Sequence, residues 1–272
     1  MEKTQKSFLK WPGGKGRIID KLLPHFPEDC QFIEPFVGAG NVFINVSAKS
    51  YILADSNQDL INTYSWLKDD LVALYNATKE LFNTENDFYD IRNQFNQPKF
   101  RWSLKLAAQF IYLNRHGFNG ICRYNKNGQF NVPKGNHKNI YFPEAELVNF
   151  NGKLLFSDTT LLHCDFTKTI ELAAAGSVVY CDPPYLTKHR DSFVGYTPSG
   201  FCYSDTELLA HCLHDAVSRG AIAIVSNCDN SSTRDIFHRF QIHEIDAPRS
   251  VAANGNRKPA REIIAVLTPD MI

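Results

Sequence analysis

Short apolar segments that stop abruptly at glycine, acid or amide residues recur along the chain. Cys30 to Val37 (CQFIEPFV) runs into Gly38-Ala39-Gly40, and Tyr51 to Ala54 (YILA) ends at Asp55. Ser177 to Cys181 ends at Asp182, and Ala221 to Val225 (AIAIV) ends at Ser226-Asn227. Glu262 to Leu267 (EIIAVL) reads as a final strand. Such short runs bounded by turn residues predict buried strands. Helical spacing occupies Asp59 to Trp66 and Ser204 to Ser218, the latter opened by a Ser-x-x-Glu capping box at Ser204 and Glu207. Alternating strands and helices predict an α/β sheet covered on both faces. Ligands in such sheets bind beyond the carboxyl ends of the strands, so the terminal polar residues should share one rim.

One segment interrupts this rhythm. Trp102 to Leu113 is an apolar-rich helix candidate, followed by NRHGFNGICRYNKNGQFNVPKGNHKN, where aromatic and cationic residues interleave with Asn and Gly. It is too polar for a core and too basic for a linker, and it predicts an inserted recognition region of residues 60–145. Residues 1–59 and 146–272 would then form the sheet domain.

Charge sharpens that reading. The 272-residue chain has no net charge, which argues against a generic polyanion binder. Yet Ile91 to Pro143 holds nine cations (Arg92, Lys99, Arg101, Lys105, Arg115, Arg123, Lys126, Lys134 and Lys138) and no Asp or Glu. A solvated face normally mixes its signs, so this predicts surface that faces phosphate. Lys99, Arg101, Lys134 and Lys138, with Arg257 and Lys258 of a C-terminal loop, are the candidate phosphate contacts.

Composition excludes other classes. No apolar run approaches the roughly 18 residues of a membrane span, and MEKTQKSFLK lacks a signal-peptide apolar region. The chain is expected in the cytoplasm, as a monomer. Its seven cysteines form no C-x-x-C pair, which supports neither a zinc knuckle nor a disulfide framework. His211 and His214 flank Cys212 on a predicted helix; without a second ligand cluster, no metal is expected.

The candidate chemistry lies where strands end. Gly38 and Gly40 let the backbone approach a ligand closely, although a purely structural turn has the same composition. Asp55, at the next strand tip, could accept hydrogen bonds from ribose hydroxyls or cap the following helix. The absence of G-x-G-x-x-G points to a nucleoside-like ligand without a pyrophosphate. VVYCDPPY (Val178 to Tyr185) is more specific. Pro183 and Pro184 stiffen the backbone and leave carbonyls free to accept, Asp182 adds carboxylate acceptors, and Tyr185 adds a flat ring. Two acceptors beside a stacking surface suit a planar group bearing an NH₂.

The motifs KWPGGK (Lys10 to Lys15), EPFVGAG (Glu34 to Gly40), Asp55 and DPPY (Asp182 to Tyr185) stand in an order that resembles the Dam-like DNA adenine-N6 methyltransferases. LNRHGFNGICRYNKNGQFNVPKG, YFPEAEL and SVAANGNRKPAREIIAV are also similar to that family, so the likeness covers essentially the whole chain. It implies an S-adenosylmethionine-dependent, Rossmann-like methyltransferase sheet with an inserted, mainly helical DNA-recognition domain. It implies cofactor contacts from Trp11, Lys15, Phe36, Gly38, Gly40, Asp55, Asp165, Phe166 and Asp182. Pro12 and Phe118 depart from the family's usual Ala and Tyr, the first in an already turn-like loop, the second with the ring retained.

The resemblance also implies that Asp182 and the Pro183 carbonyl take both amino hydrogens of a flipped adenine stacked on Tyr185. Loss of the Asp182 carboxylate is then expected to abolish transfer without unfolding the protein. Double-stranded DNA is the implied partner and GATC the implied site, contacted by Lys10, Phe118, Asn119, Ile121, Arg123 and Pro133. Arg123 suits the O6 and N7 of a guanine; Ile121 and Pro133 could meet a thymine methyl or simply pack the loop. Rival readings are an N4-cytosine, RNA or protein-glutamine methyltransferase, disfavoured by Asp at position 182, and a non-catalytic DNA-binding regulator of the same fold.

Overall fold

The computed structural model describes residues 4–136, 139–185, 201–247 and 260–272. Its strands are β1 (Gln31–Glu34), β2 (Ser50–Asp55), β3 (Asp158–His163), β4 (Ser177–Cys181), β5 (Ile222–Cys228), β6 (Gln241–Ala247) and β7 (Ala260–Leu267). They form one sheet in the order β3-β2-β1-β4-β5-β7-β6. The first five are parallel, and β7 runs antiparallel to both β5 and β6. From β1 the chain leaves towards β2 on one side and returns at β4 on the other, so the order reverses between β1 and β4. Sheets of this kind place ligands outside the carboxyl ends at such a reversal.

The helices are α1 (Ile19–Leu22), α2 (Gln58–Asp69), α3 (Leu71–Asn83), α4 (Phe88–Asn96), α5 (Leu104–His116), α6 (Glu144–Phe156), α7 (Phe166–Glu171), α8 (Tyr203–Ser218) and α9 (Ser231–Ile236). All of β4 is buried, as expected of a central parallel strand covered on both faces. Its side chains alternate between two cores. Val178 and Tyr180 join Phe32, Leu53 and Ile224 on one face; Val179 and Cys181 join Ile33, Val225 and Ile263 on the other. Leu60, Tyr64, Leu74, Phe95 and Phe110 of the helical segment belong to the first of these cores. The helices of residues 58–116 therefore rest on the sheet through shared apolar packing.

Several elements differ from expectation. β3 and β6 were not anticipated, because edge strands such as QIHEIDA carry too little apolar density to stand out. β5 runs on to Cys228, placing Ser226 and Asn227 inside the strand. α8 starts one residue early: Cys202 is the N-cap, and its N–H donates to Asp205 Oδ2 at 2.7 Å. The reciprocal acid is thus Asp205, with Ser204 and Glu207 lying in the first turns. Among the described residues no helix is long and apolar enough to cross a membrane, and no cluster of three or more His, Cys, Asp or Glu could hold a metal ion.

The basic segment divides into two populations. Arg115 is buried and donates to the carbonyls of Phe8 and Tyr141; Arg92 donates to the Val132 carbonyl. Arg101 pairs with buried Asp59 at 2.8 Å, donates to the Phe95 carbonyl and lies over the Phe95 ring. These three arginines satisfy internal acceptors, which corrects the expectation that Arg101 faces phosphate. Lys99, Lys105, Arg123, Lys126 and Lys134 are exposed. Lys138, Arg257 and Lys258 lie outside the described residues.

Asp59 also accepts the Tyr124 hydroxyl at 2.7 Å, so Arg101 neutralises a carboxylate tied to the recognition loop. Arg101→Ala should leave that carboxylate buried without its cation and destabilise the fold by about 3 kcal/mol in urea unfolding. Lys105→Ala should change stability by less than about 0.5 kcal/mol. Equal, small effects would show that the ion pair is dispensable.

Candidate active site

Three strand tips converge at the reversal point. Beyond β1, Gly38 and Gly40 adopt φ of +47° and +68°, the left-handed region that a side chain rarely tolerates. A Cβ on Gly40 would lie 2.6 Å from the Phe150 ring, and one on Gly38 would lie 3.1 Å from the Trp11 indole nitrogen. The glycines thus form a tight turn with Trp11 against it, and Tyr64 holds the turn by donating to the Gly38 carbonyl at 2.5 Å.

Asp55 ends β2. Its Oδ2 accepts from the Gly38 N–H at 3.1 Å and its Oδ1 from the Asn57 N–H at 2.9 Å. The cap of α2 is Asn57, whose side chain accepts from Asp59 and Leu60 N–H groups. Asp55 is therefore not the helix cap but the acid that joins the glycine turn to the β2 tip. Burial pushes its carboxyl up to about 6, against the opposing pull of the two amides. Nearby, the Phe36 and Phe166 rings stack with centroids 5.4 Å apart, and Phe201 meets Phe36 edge-on. Asp165 caps α7 through the Thr167 N–H at 2.9 Å.

At the end of β4, Asp182 Oδ1 lies 2.8 Å from Lys15 Nζ and accepts the Ser226 hydroxyl at 3.0 Å. Its Oδ2 has no hydrogen-bond partner among the described residues. Burial raises the Asp182 carboxyl and the Lys15 cation opposes that rise. Lys15, only 4% exposed, also donates to the Gly13 carbonyl at 3.0 Å and to the Tyr185 hydroxyl at 2.7 Å. That hydroxyl donates in turn to Glu262 Oε2 at 2.8 Å. Lys15 therefore stands between the glycine loop and DPPY.

Glu34 was quoted in EPFVGAG only for its glycines, yet it is buried with Oε2 unpartnered. Burial, reinforced by the Asp182 charge, pushes it well above the carboxylate range. Glu262 and Ser226 were likewise not singled out as site residues. The available signals were an acid opening an apolar strand and a polar pair closing another.

On the recognition side, Asn114 bonds the Lys10 backbone in both directions at 2.8 Å and reaches the Gly120 carbonyl at 3.3 Å. Gly120 has φ of +63°, and a Cβ there would lie 2.2 Å from the Lys10 Cβ. This close approach places Lys10 beside the Phe118–Ile121 turn. Phe118 is 43% exposed, and its N–H donates to the Pro133 carbonyl at 2.9 Å. Asn119 (φ +53°), Arg123 and Pro133 are exposed, whereas Ile121 packs partly against the core. Arg123 Nε donates to Asn131 Oδ1 at 2.8 Å, which braces the guanidinium across the loop.

A glycine turn, an acid on the neighbouring strand tip and an acceptor-Pro-Pro-aromatic corner thus meet at the reversal point of an α/β sheet. A family model described as D12 class N6 adenine-specific DNA methyltransferase matches residues 11–251. The DNA adenine methylase of Vibrio cholerae is 41% identical over 276 residues, covering 99% of this chain and 98% of its own. The Retron Ec67 DNA adenine methylase of Escherichia coli is 41% identical over 264 residues, with 96% and 90% covered. Another Escherichia coli DNA adenine methylase is 38% identical over 277 residues, with 99% and 98% covered. The chain belongs to the D12 class of N6 adenine-specific DNA methyltransferases and methylates adenine in DNA.

The position of Asp55 has a consequence for stability. An acid whose folded value is about 6, against an unfolded value of about 4, holds a proton in the folded state after the unfolded chain has lost it. Its contribution therefore falls as pH rises from 4 to 6 and stays low above. Relative to Asp55→Asn, the wild type should lose about 2 kcal/mol between pH 4 and pH 7, read by urea unfolding at each pH. A constant difference across that range would mean that the acid titrates normally.

Proposed function

We propose that the methyl donor is S-adenosylmethionine and that the modified base is the adenine of GATC in duplex DNA. The left-handed Gly38 and Gly40, Trp11 against their turn and Asp55 one strand away form a cradle suited to a nucleoside cofactor. Asp55, ionised above about pH 6, would accept the ribose hydroxyls. Phe36, Phe166 and Asp165 would bound the adenine of the cofactor, which supplies an electrophilic methyl group when bound. Residues 60–145 would serve as the recognition segment.

The observation that carries the reading is the asymmetry of Asp182. Oδ1 is engaged by Lys15 and Ser226, and Oδ2 has no partner among the described residues. Oδ2 and the Pro183 carbonyl would accept the two amino hydrogens of adenine and favour a more pyramidal nitrogen. The nitrogen's electron pair would form the new N–C bond as the donor's S–C bond breaks with its electrons retained by sulfur, and the proton would leave after transfer, so no prior general base is needed. Extruding the base costs roughly a few kcal/mol, which Tyr185 stacking would partly offset. Phe118 would fill the vacated space, while Lys10, Asn119, Ile121 and Pro133 would line the site. A cytoplasmic monomer fits a substrate that is bacterial or phage duplex DNA.

Asp182→Asn keeps an oxygen for Lys15 and Ser226 but aims an amide N–H₂ at the adenine amino group. It should abolish methyl transfer from tritiated S-adenosylmethionine while leaving folding and duplex binding intact. Asp182→Ala should also be inactive, but it strips the buried Lys15 of its nearest anion and should cost about 3 kcal/mol of stability. More than a tenth of wild-type turnover in the Asn variant would refute the role of Asp182.

Arg123 is exposed and braced, as a guanine reader should be. Arg123→Ala should lose about 1–3 kcal/mol of discrimination, methylating sites altered at one guanine almost as well as GATC. If it slows every duplex equally and keeps full preference, Arg123 contacts phosphate and the assignment fails.

A further inference from the structure

We propose that Glu262, on the antiparallel strand β7, is a positioning residue for methyl transfer that acts through the Tyr185 hydroxyl. The reasoning follows the donors and acceptors one by one. A lysine ammonium has three N–H donors and no acceptor. In Lys15 the three hydrogen bonds go to the Gly13 carbonyl at 3.0 Å, the Tyr185 oxygen at 2.7 Å and Asp182 Oδ1 at 2.8 Å. Glu262 Oε2, 3.8 Å from the same nitrogen, feels its charge without a hydrogen bond. Because the Tyr185 oxygen accepts from Lys15, its own single proton must point elsewhere, and Glu262 receives it at 2.8 Å.

The other end of the chain is also accounted for. The Ser226 hydroxyl donates to Asp182, so its oxygen is left to accept from Tyr180, 2.8 Å away. The bonds therefore run in fixed directions from Tyr180 through Ser226 to Asp182 Oδ1, and from Lys15 through Tyr185 to Glu262. Within this set, Asp182 Oδ2 on DPPY itself keeps its acceptor capacity for a substrate amino group. Tyr185 is held at both ends of its ring, by the backbone of DPPY and by its hydroxyl. The Lys15 ammonium lies 4.8 Å from the ring centroid, beyond the hydroxyl end, so it holds the ring by that oxygen.

Glu262 also sets the charge of the cluster. Asp182, Glu262 and Lys15 together carry one net negative charge when ionised. During transfer, positive charge moves from the donor sulfur to the adenine nitrogen, and a fixed negative cluster beside that nitrogen favours the transition state. Glu262 touches neither substrate nor the reacting atoms; its effect passes through Tyr185 and Lys15.

The inference rests on the reading of Asp182 and Tyr185 as the target-base site, and a set of variants separates the two. Single-turnover methylation of a GATC duplex would be measured for Tyr185→Phe, Glu262→Gln, Glu262→Ala and the Tyr185→Phe, Glu262→Ala double variant. Cofactor and duplex affinities would be measured alongside. Tyr185→Phe and Glu262→Ala should each slow transfer about tenfold or more, with affinities changed less than about twofold. The double variant should be no slower than the slower single, because both remove one hydrogen bond. Glu262→Gln, which still accepts the hydroxyl, should retain more activity than Glu262→Ala. Multiplying losses in the double variant, or wild-type rates in Glu262→Ala, would overturn the proposal. If Glu262→Ala fails to fold, the Gln variant and its combination with Tyr185→Phe carry the same comparison. An active Asp182→Asn would instead overturn the site reading beneath it.

Discussion

A buried ammonium constrains most of this active site. Lys15 sits on the loop that enters the fold, yet its nitrogen is anchored to the strand that ends at Asp182. Removing a charge this far from water costs several kcal/mol unless anions and oriented acceptors replace the solvent. Here they do so from three directions: the Gly13 carbonyl of its own loop, Asp182 beyond β4, and Tyr185 with Glu262 towards β7. The cation thereby joins the Gly13 loop to the Asp182–Tyr185 corner. An error of an ångström in one would be transmitted to the other.

The sheet makes that arrangement possible. Reversal of strand order between β1 and β4 sets the glycine turn beside the end of β4, and the antiparallel β7 beside β5 brings Glu262 close to DPPY. On the far side, Asp55 engages the glycine turn and, through the Asn57 N–H, the start of α2. Asn57 Nδ2 lies 3.4 Å from Cys122 Sγ, and Tyr124 reaches Asp59, so residues flanking Arg123 are tied to the strand tip that carries Asp55. The loop of residues 122–124 and the Asp55 strand tip thus share one polar framework in addition to a continuous apolar core.

The basic segment shows how sequence charge can mislead. Nine cations without an acid suggested one phosphate-facing surface. Arg92, Arg101 and Arg115 instead stitch the helical segment together by filling backbone carbonyls and the Asp59 carboxylate. Guanidinium groups suit this role, because their forked N–H donors satisfy several acceptors in poorly hydrated places. Lys99, Lys105, Lys126, Lys134 and Arg123 remain exposed.

Local patterns in the chain determined much of this protein. The apolar run of β4, the glycines before Asn41, and the rigid Asp-Pro-Pro-Tyr corner each follow from conformational limits of a few adjacent residues. Their order along the chain was enough to suggest the adenine methyltransferase family. Tertiary structure alone decided which charges face inward, because the inward turn of Arg101 depends on buried Asp59, 42 positions away. It also decided the role of Glu262, whose partner Tyr185 is 77 residues distant and whose strand reads locally as ordinary core. β3 and β6 stayed hidden for the same reason: edge strands are held by hydrogen bonds to neighbours more than by their own apolar content. Periodicity records what a residue does to its own segment. Ion pairing and hydrogen-bond direction depend on segments that only folding brings together.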